Sequence, residues 1–242
     1  MRILVISDIH ANLTALEAVL KDAGGIDATY CLGDLVGYGP DPNECIDRII
    51  NLQNATCLIG NHDAAALDKI QIDTFNPEAR LAILWTRTTL TPDNKEYLLN
   101  LKEYQVIGDV TIAHGSPRQP VWEYLLDTRT ATQNFDYFDT PFCFVGHSHL
   151  PVIYHLNDGR HWADLIIPDP QTERLLTPRA ILNPGSVGQP RDRDPRAAYA
   201  IFDPDNLTWE PRRVEYDIAS VQARMKKAEL PQRHITRLTT GW

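Results

Sequence analysis

RILVISDIHANLTALEAVL, residues 2–20, is the stretch from which the fold can be read. Its opening run is apolar and rich in β-branched residues, the pattern of a fully buried strand. From Leu13 the apolar residues fall at helical spacing, Leu16 and then Val19 or Leu20, with Asn12 placed as a cap. Asp8 and His10 therefore stand where a strand hands over to a helix. In a segment that is still extended, side chains two apart point the same way, so this carboxylate and imidazole are expected to converge. Such a pair can hold a metal ion. A strand-to-helix loop also uses Asp and His for turns and caps, so the rest of the chain has to decide between the two readings.

The same arrangement recurs four more times. ATYCLG is followed by Asp34, ATCLIG by Asn61 and His62, VTIA by His114, and FCFVG by His147 and His149. Five of the eight histidines fall at these strand ends; His155, His161 and His234 do not. Helical segments at Asn12 to Lys21 and Pro42 to Leu52 separate the first three strands, which makes them right-handed parallel βαβ crossovers. Their C-terminal ends then share one sheet edge, where open α/β folds place their sites. Glycines stand beside the donors at Gly33, Gly60, Gly115 and Gly146, as a crowded site requires. Mixed oxygen and nitrogen donors without a thiolate suit Mn, Fe, Zn, Co or Ni rather than Ca or Mg.

The totals narrow the function classes. The chain has 242 residues, 43% of them hydrophobic, enough for a substantial core. A formal charge of −9 argues against an extended nucleic-acid partner but leaves room for a small phosphorylated substrate beside bound cations. Cys31, Cys45, Cys57 and Cys143 lack the spacing of a zinc or redox motif and are expected to be buried and reduced. No apolar run reaches membrane-spanning length, and the first strand begins directly after Met1, so the expected location is the cytoplasm.

Taken together, SDIH, GD, GNHD, AHG and GHSH, in this order and at these intervals, resemble the calcineurin-like metallophosphoesterases. LNPGSVGQPRD, 182–192, looks like the return segment of their small bacterial members, the predicted phosphodiesterases. The resemblance implies two divalent metal ions, one held by Asp8, His10 and His149, the other by Asn61, His114 and His147, with Asp34 bridging. The ions would lie roughly 3.5–4 Å apart. A hydroxide held between them is the implied nucleophile, attacking phosphorus in line, and His62 is the implied general acid at the leaving oxygen.

One motif departs from the serine/threonine phosphatases of the superfamily, which read Gly-Asp-x-Val-Asp-Arg-Gly. Here the stretch is GDLVGYG, with Gly37 and Tyr38 in place of the Asp that partners the acid and the Arg that clamps phosphate. Asp63 is a substitute partner for His62. Tyr38, Arg118 and Arg191 are candidate substrate-binding residues, and RDRDPR, 191–196, reads mainly as a solvated charge run. Phosphodiesters are therefore favoured over phosphomonoesters and phosphoproteins as substrates. A non-catalytic protein-binding scaffold of the same fold is the alternative from a different class, and the intact donor set argues against it.

No linker divides the chain, so the expectation is one domain over 1–242, an αββα sandwich of two mixed sheets packed face to face with helices outside. Helical excursions are expected at about 63–105 and 117–140. Leu81, Leu84, Trp85 and Thr88 mark a helix in the first, and Thr91 with Pro92 starts another. In the second, aromatic residues from Trp122 to Phe138 read as a helix packed on the core or as a lid over the site. Six strands should follow His149, and a helix from Ile218 to Leu230 should close the chain.

Overall fold

The computed structural model describes residues 1–242 except Asp158 and Arg160. The first half alternates strand and helix: β1 (Ile3–Ile6), α1 (Leu13–Ala23), β2 (Ala28–Cys31), α2 (Pro42–Ile50), β3 (Ala55–Cys57) and α3 (Asn61–Ala66). Two helices, α4 (Pro77–Thr89) and α5 (Pro92–Leu99), lead to a hairpin of β4 (Tyr104–Ile107) and β5 (Val110–Ala113). After α6 (Thr128–Asn134) come β6 (Phe142–Phe144), β7 (Val152–His155), β8 (Asp164–Ile166), β9 (Arg174–Leu175), β10 (Ala180–Asn183), β11 (Ala197–Asp203) and β12 (Thr208–Val214). Two helices end the chain, α7 (Ile218–Lys227) and α8 (Gln232–Thr240).

The strands form two mixed six-stranded sheets, β3-β2-β1-β11-β12-β9 and β4-β5-β6-β10-β7-β8. In the first, β1, β2 and β3 are parallel, as their crossover helices require; in the second, β5, β6 and β10 are parallel. The period of two along each strand sorts its side chains between layers. Ile3 and Val5 of β1, with Phe142 and Phe144 of β6, fill the space between the sheets around Phe202 and Trp209. Leu4 and Ile6 turn instead to α1 and α2, meeting Leu16, Val19, Ile46 and Ile49. The sandwich expected from the sequence is the architecture observed, and all six strands expected after His149 are present.

The caps read from the sequence hold. Asn12 Oδ1 accepts the Ala15 N–H at 3.1 Å and Thr91 Oγ1 accepts that of Asn94 at 3.3 Å. All four cysteines are free thiols. No helix among the described residues is long and apolar enough to cross a membrane.

Other expectations need correction. The chain does not close at Leu230: Pro231 is followed by α8, which packs with α7 and α4. That packing explains a second difference. On α4 the buried face is Ala79, Ala82, Ile83 and Thr86, while Leu81 and Leu84 are exposed, because small alanines let the C-terminal helices approach closely. The segment 117–140 divides between its two readings. Phe135 and Phe138 pack in the core beside Tyr154 and Ile181, whereas Trp122 and Tyr124 are exposed at the rim of a cavity. The charge run after Gln189 is partly internal, with Asp192 bonded to the buried Arg213 and Asp194 to Arg196.

Candidate metal centre

Five strands from two sheets end at one place. Asp8 and His10 follow β1, Asp34 follows β2, Asn61 follows β3, His114 follows β5, and His147 and His149 follow β6. The loop after β10 folds across them: Ser186 Oγ and the Gly188 N–H both donate to the Asp8 carbonyl, at 2.8 and 3.0 Å. All seven residues are buried.

The convergence of Asp8 with His10, and the layout of His147 with His149, do not come from extended backbone. Asp8, His10, Asp34, His147 and His149 all have φ between +47° and +64°, the left-handed region that non-glycine residues avoid. Strain of this kind costs on the order of 1–3 kcal/mol per residue and persists only where the surroundings enforce it. Here the surroundings are a lattice of backbone bonds between loops, including Asp8 N–H to Gly33 O at 3.0 Å and His10 N–H to Asp34 O at 2.9 Å. His147 and His149 face different neighbours, His114 and His10 respectively.

Each carboxylate is divided in function. Asp8 Oδ2 accepts the His147 N–H at 3.0 Å, leaving Oδ1 without a hydrogen-bond partner, 3.2 Å from His149 Nε2. Asp34 Oδ1 accepts the His62 N–H at 2.8 Å, leaving Oδ2 unpartnered between His10 Nε2 at 3.6 Å and His114 Nε2 at 3.5 Å. Gly60 packs directly on the Asp34 carboxylate, and any side chain at that position would collide with it.

Backbone carbonyls orient three of the imidazoles. Nδ1 of His10, His114 and His149 lies 3.0, 2.9 and 2.6 Å from the carbonyls of Val36, Leu32 and Gln189. A carbonyl can only accept, so each Nδ1 carries the proton and each Nε2 points inward. His10 Nε2 and His149 Nε2 then face each other at 3.2 Å, and burial pushes the pKa of both well below the usual range. Two buried lone pairs at that distance repel unless a cation lies between them. His114 Nε2 lies 3.2 Å from His147 Nδ1 and 3.1 Å from Asn61 Oδ1.

Without ions the buried charges compensate one another: burial opposes the charge on the His114 imidazole, but Asp34 beside it raises its pKa to about 9. Burial raises the Asp8 carboxyl to about 6. Burial also opposes the charge on Asp34, yet His114, His62 and His10 around it hold its pKa well below the carboxylate range. The donor atoms gather into sets within 4.8 Å: Asp8, His10 and His149; Asp34, His114 and His147; and His10, Asp34 and His62. Orphaned carboxylate oxygens facing imidazole nitrogens, with no thiolate among them, fit divalent transition-metal ions well.

His62 opens onto the cavity, its ring against Tyr38 and Phe75 at centroid distances of 4.4 and 5.2 Å. Asp63 does not partner it. Its carboxylate accepts the Val36 N–H at 3.0 Å and the Gly60 N–H at 2.9 Å, as a residue in the first turn of α3 is placed to do, and His62 Nδ1 has no partner among the described residues. Tyr38 and Arg191 both line the cavity, with the Arg191 guanidinium over the Tyr38 ring. Arg118 does not line it; its guanidinium is taken by Glu123 and Gln133. Four cavity residues escaped sequence reading, Thr74, Phe75, Asn76 and Arg237, because none sits in a strand-end motif.

The profile of the calcineurin-like phosphoesterase superfamily domain matches residues 1–207. An uncharacterised protein of Methanocaldococcus jannaschii is 40% identical over 95% of this chain and 94% of its own length. The crystal structure of a metallophosphoesterase from Sphaerobacter thermophilus is 48% identical and superposes with a TM-score of 0.92 over 100% of this chain and 99% of that one. A hypothetical protein from Pyrococcus horikoshii OT3, 23% identical, shares the fold at a TM-score of 0.78 over 100% and 98% of the two chains. With residues 1–207 matched by the family profile, the chain belongs to the calcineurin-like phosphoesterase superfamily.

Proposed function

We propose that the protein is a cytoplasmic, binuclear metal-dependent hydrolase of small phosphodiesters. The observation that carries this reading is Asp34 Oδ2, buried, unpartnered and within 3.6 Å of both His10 Nε2 and His114 Nε2, which belong to different donor sets. Asp8, His10 and His149 would hold one ion, Asn61, His114 and His147 the other, and Asp34 both. Ions bound there would supply Lewis-acid chemistry, acidifying water and neutralising phosphoryl charge.

The protein's own groups do the rest. His62 donates a proton to the leaving oxygen; burial lowers its pKa to about 4 in the free protein, so it takes that proton up as the anionic substrate enters the cavity beside it, and its Nδ1 makes no hydrogen bond among the described residues that would fix its role otherwise. Arg191 orients a phosphoryl oxygen and Tyr38 holds that arginine in place, its hydroxyl accepting from Nη2 at 3.4 Å. The cavity, about 510 Å³, is of a size to admit a small ester. Gly37 removes the carboxylate that the phosphatase motif sets beside the acid, which favours diesters.

The test is elemental analysis of the purified protein together with hydrolysis of bis(p-nitrophenyl) phosphate and p-nitrophenyl phosphate after chelation and reloading with Mn, Fe, Zn, Co or Ni. Two ions per chain and faster diester cleavage are expected. A single ion at saturation, or a preference for the monoester, overturns the reading.

A further inference from the structure

Arg237 reaches the central cavity from the last turn of α8, far along the chain from the strand-end motifs. It meets Arg191 there. Arg191 Nη2 and Arg237 Nη1 each donate to the same atom, Gln189 Oε1, both at 3.3 Å. One neutral amide oxygen does not balance two guanidinium charges. The Nε of each arginine is buried without a hydrogen-bond partner, and among the described residues neither forms an ion pair with a carboxylate. Other arginines nearby are satisfied in the ordinary way, Arg196 by Asp194, Arg213 by Asp192 and Arg224 by Asp41. Two crowded, unneutralised guanidiniums on a cavity wall form a site for an anion, and their forks match phosphate oxygens.

The two arginines stand at different depths. Arg191 lies over the Tyr38 ring and donates to its hydroxyl, and that ring packs against His10 and His62 at centroid distances of 4.6 and 4.4 Å. The Arg237 guanidinium makes its one hydrogen bond among the described residues to Gln189 Oε1. A phosphate being cleaved at the cluster would engage Arg191 and leave Arg237 without an anion. Phe75 and Trp122 line the same cavity edge to face, ring centroids 5.7 Å apart, and give it an aromatic wall against which a base can pack.

Resting on the phosphodiesterase reading above, we propose that Arg237, beside Arg191 on the cavity wall, binds a second phosphate of the substrate beyond the one being cleaved. The substrate class is then a nucleotide diester carrying an additional phosphate.

A matched chromogenic pair tests this: the 5′-(p-nitrophenyl phosphate) ester of thymidine with and without a 3′-phosphate, on manganese-loaded protein. Wild type is expected to favour the 3′-phosphorylated ester by about tenfold or more in kcat/KM, mainly through KM. Arg237→Gln should bring that ratio close to one, Arg237→Lys should leave it between the two, and raising salt from about 0.05 M to about 0.3 M should erode it in wild type. No preference in wild type, or a preference that Arg237→Gln retains, overturns the inference. If wild type cleaves neither ester, the phosphodiesterase reading fails separately. Calorimetry with thymidine 3′,5′-bisphosphate against thymidine 5′-phosphate then decides the second-phosphate site without turnover: tighter binding of the bisphosphate supports it, and equal binding overturns it. The wild-type measurements stand even if Arg237→Gln does not fold.

Discussion

Gly37 lies against the imidazole of His62: a side chain begun at Gly37 would meet His62 Nδ1 at 2.6 Å. Its φ of +89° is a second barrier to any other residue. Gly37→Ala should therefore displace the His62 ring and lower kcat by roughly 10²-fold, the order expected when a catalytic group moves by about 1 Å. Steady-state kinetics on the diester, with bound metal counted in the same preparation, will check this; unchanged kcat would mean that His62 is not positioned through this contact.

Replacing His62 itself separates two roles, because its ring nitrogen falls within a donor set with His10 and Asp34. As the proton donor to the leaving oxygen, His62→Ala should cost about 10²- to 10⁴-fold in kcat while both ions stay bound. An ester with a better leaving group should recover part of that loss. Loss of an ion from the variant would make His62 a ligand instead.

Removing metal should lower stability as well as activity. A ligand that binds only the folded chain stabilises it by about 3–4 kcal/mol at 100 to 1,000 times its dissociation constant. Treatment with a chelator should thus lower the melting temperature by several degrees, and Mn²⁺ should restore it. Scanning calorimetry of stripped and reloaded protein checks the shift; identical melting curves would contradict a folded-state metal site.

His234, beneath the Tyr38 ring at 4.4 Å, is buried, and burial lowers its pKa to about 3. The unfolded chain takes up a proton near pH 6.5 and the folded chain does not, so stability is full above about pH 6.5 and falls as pH drops toward 3. At pH 5 this group removes about 2 kcal/mol relative to pH 7. Urea unfolding of metal-free wild type and His234→Leu at both pH values should show the variant losing less by about that amount. An equal loss in both proteins would show that His234 is protonated in the fold.

The clustering of these residues was legible because each follows an apolar strand, and a sheet gathers its parallel strand ends whatever the details of the loops. How the donors are aimed was not legible. Asp8 and His10 converge through left-handed backbone, and the sequence of a non-glycine loop does not announce positive φ. Arg118 sits four residues past His114, yet Glu123 captures it, a choice made by local packing rather than by spacing. Arg237 lies in a helix with few apolar residues whose purpose appears only when Ile235 and Leu238 meet α4 and α7. Side chains brought together by tertiary packing leave no periodic trace in the chain.

Two of the three donor sets straddle the sheets: Asp8 and His10 need His149 from across the interface, and His114 and His147 need Asp34, whereas His10, Asp34 and His62 all follow strands of the first sheet. A fragment ending in the β4–β5 turn would keep that third set and only part of the other two. Ions bound at the junction would therefore be captured fully only once the sheets have docked, and would tie the two layers to each other.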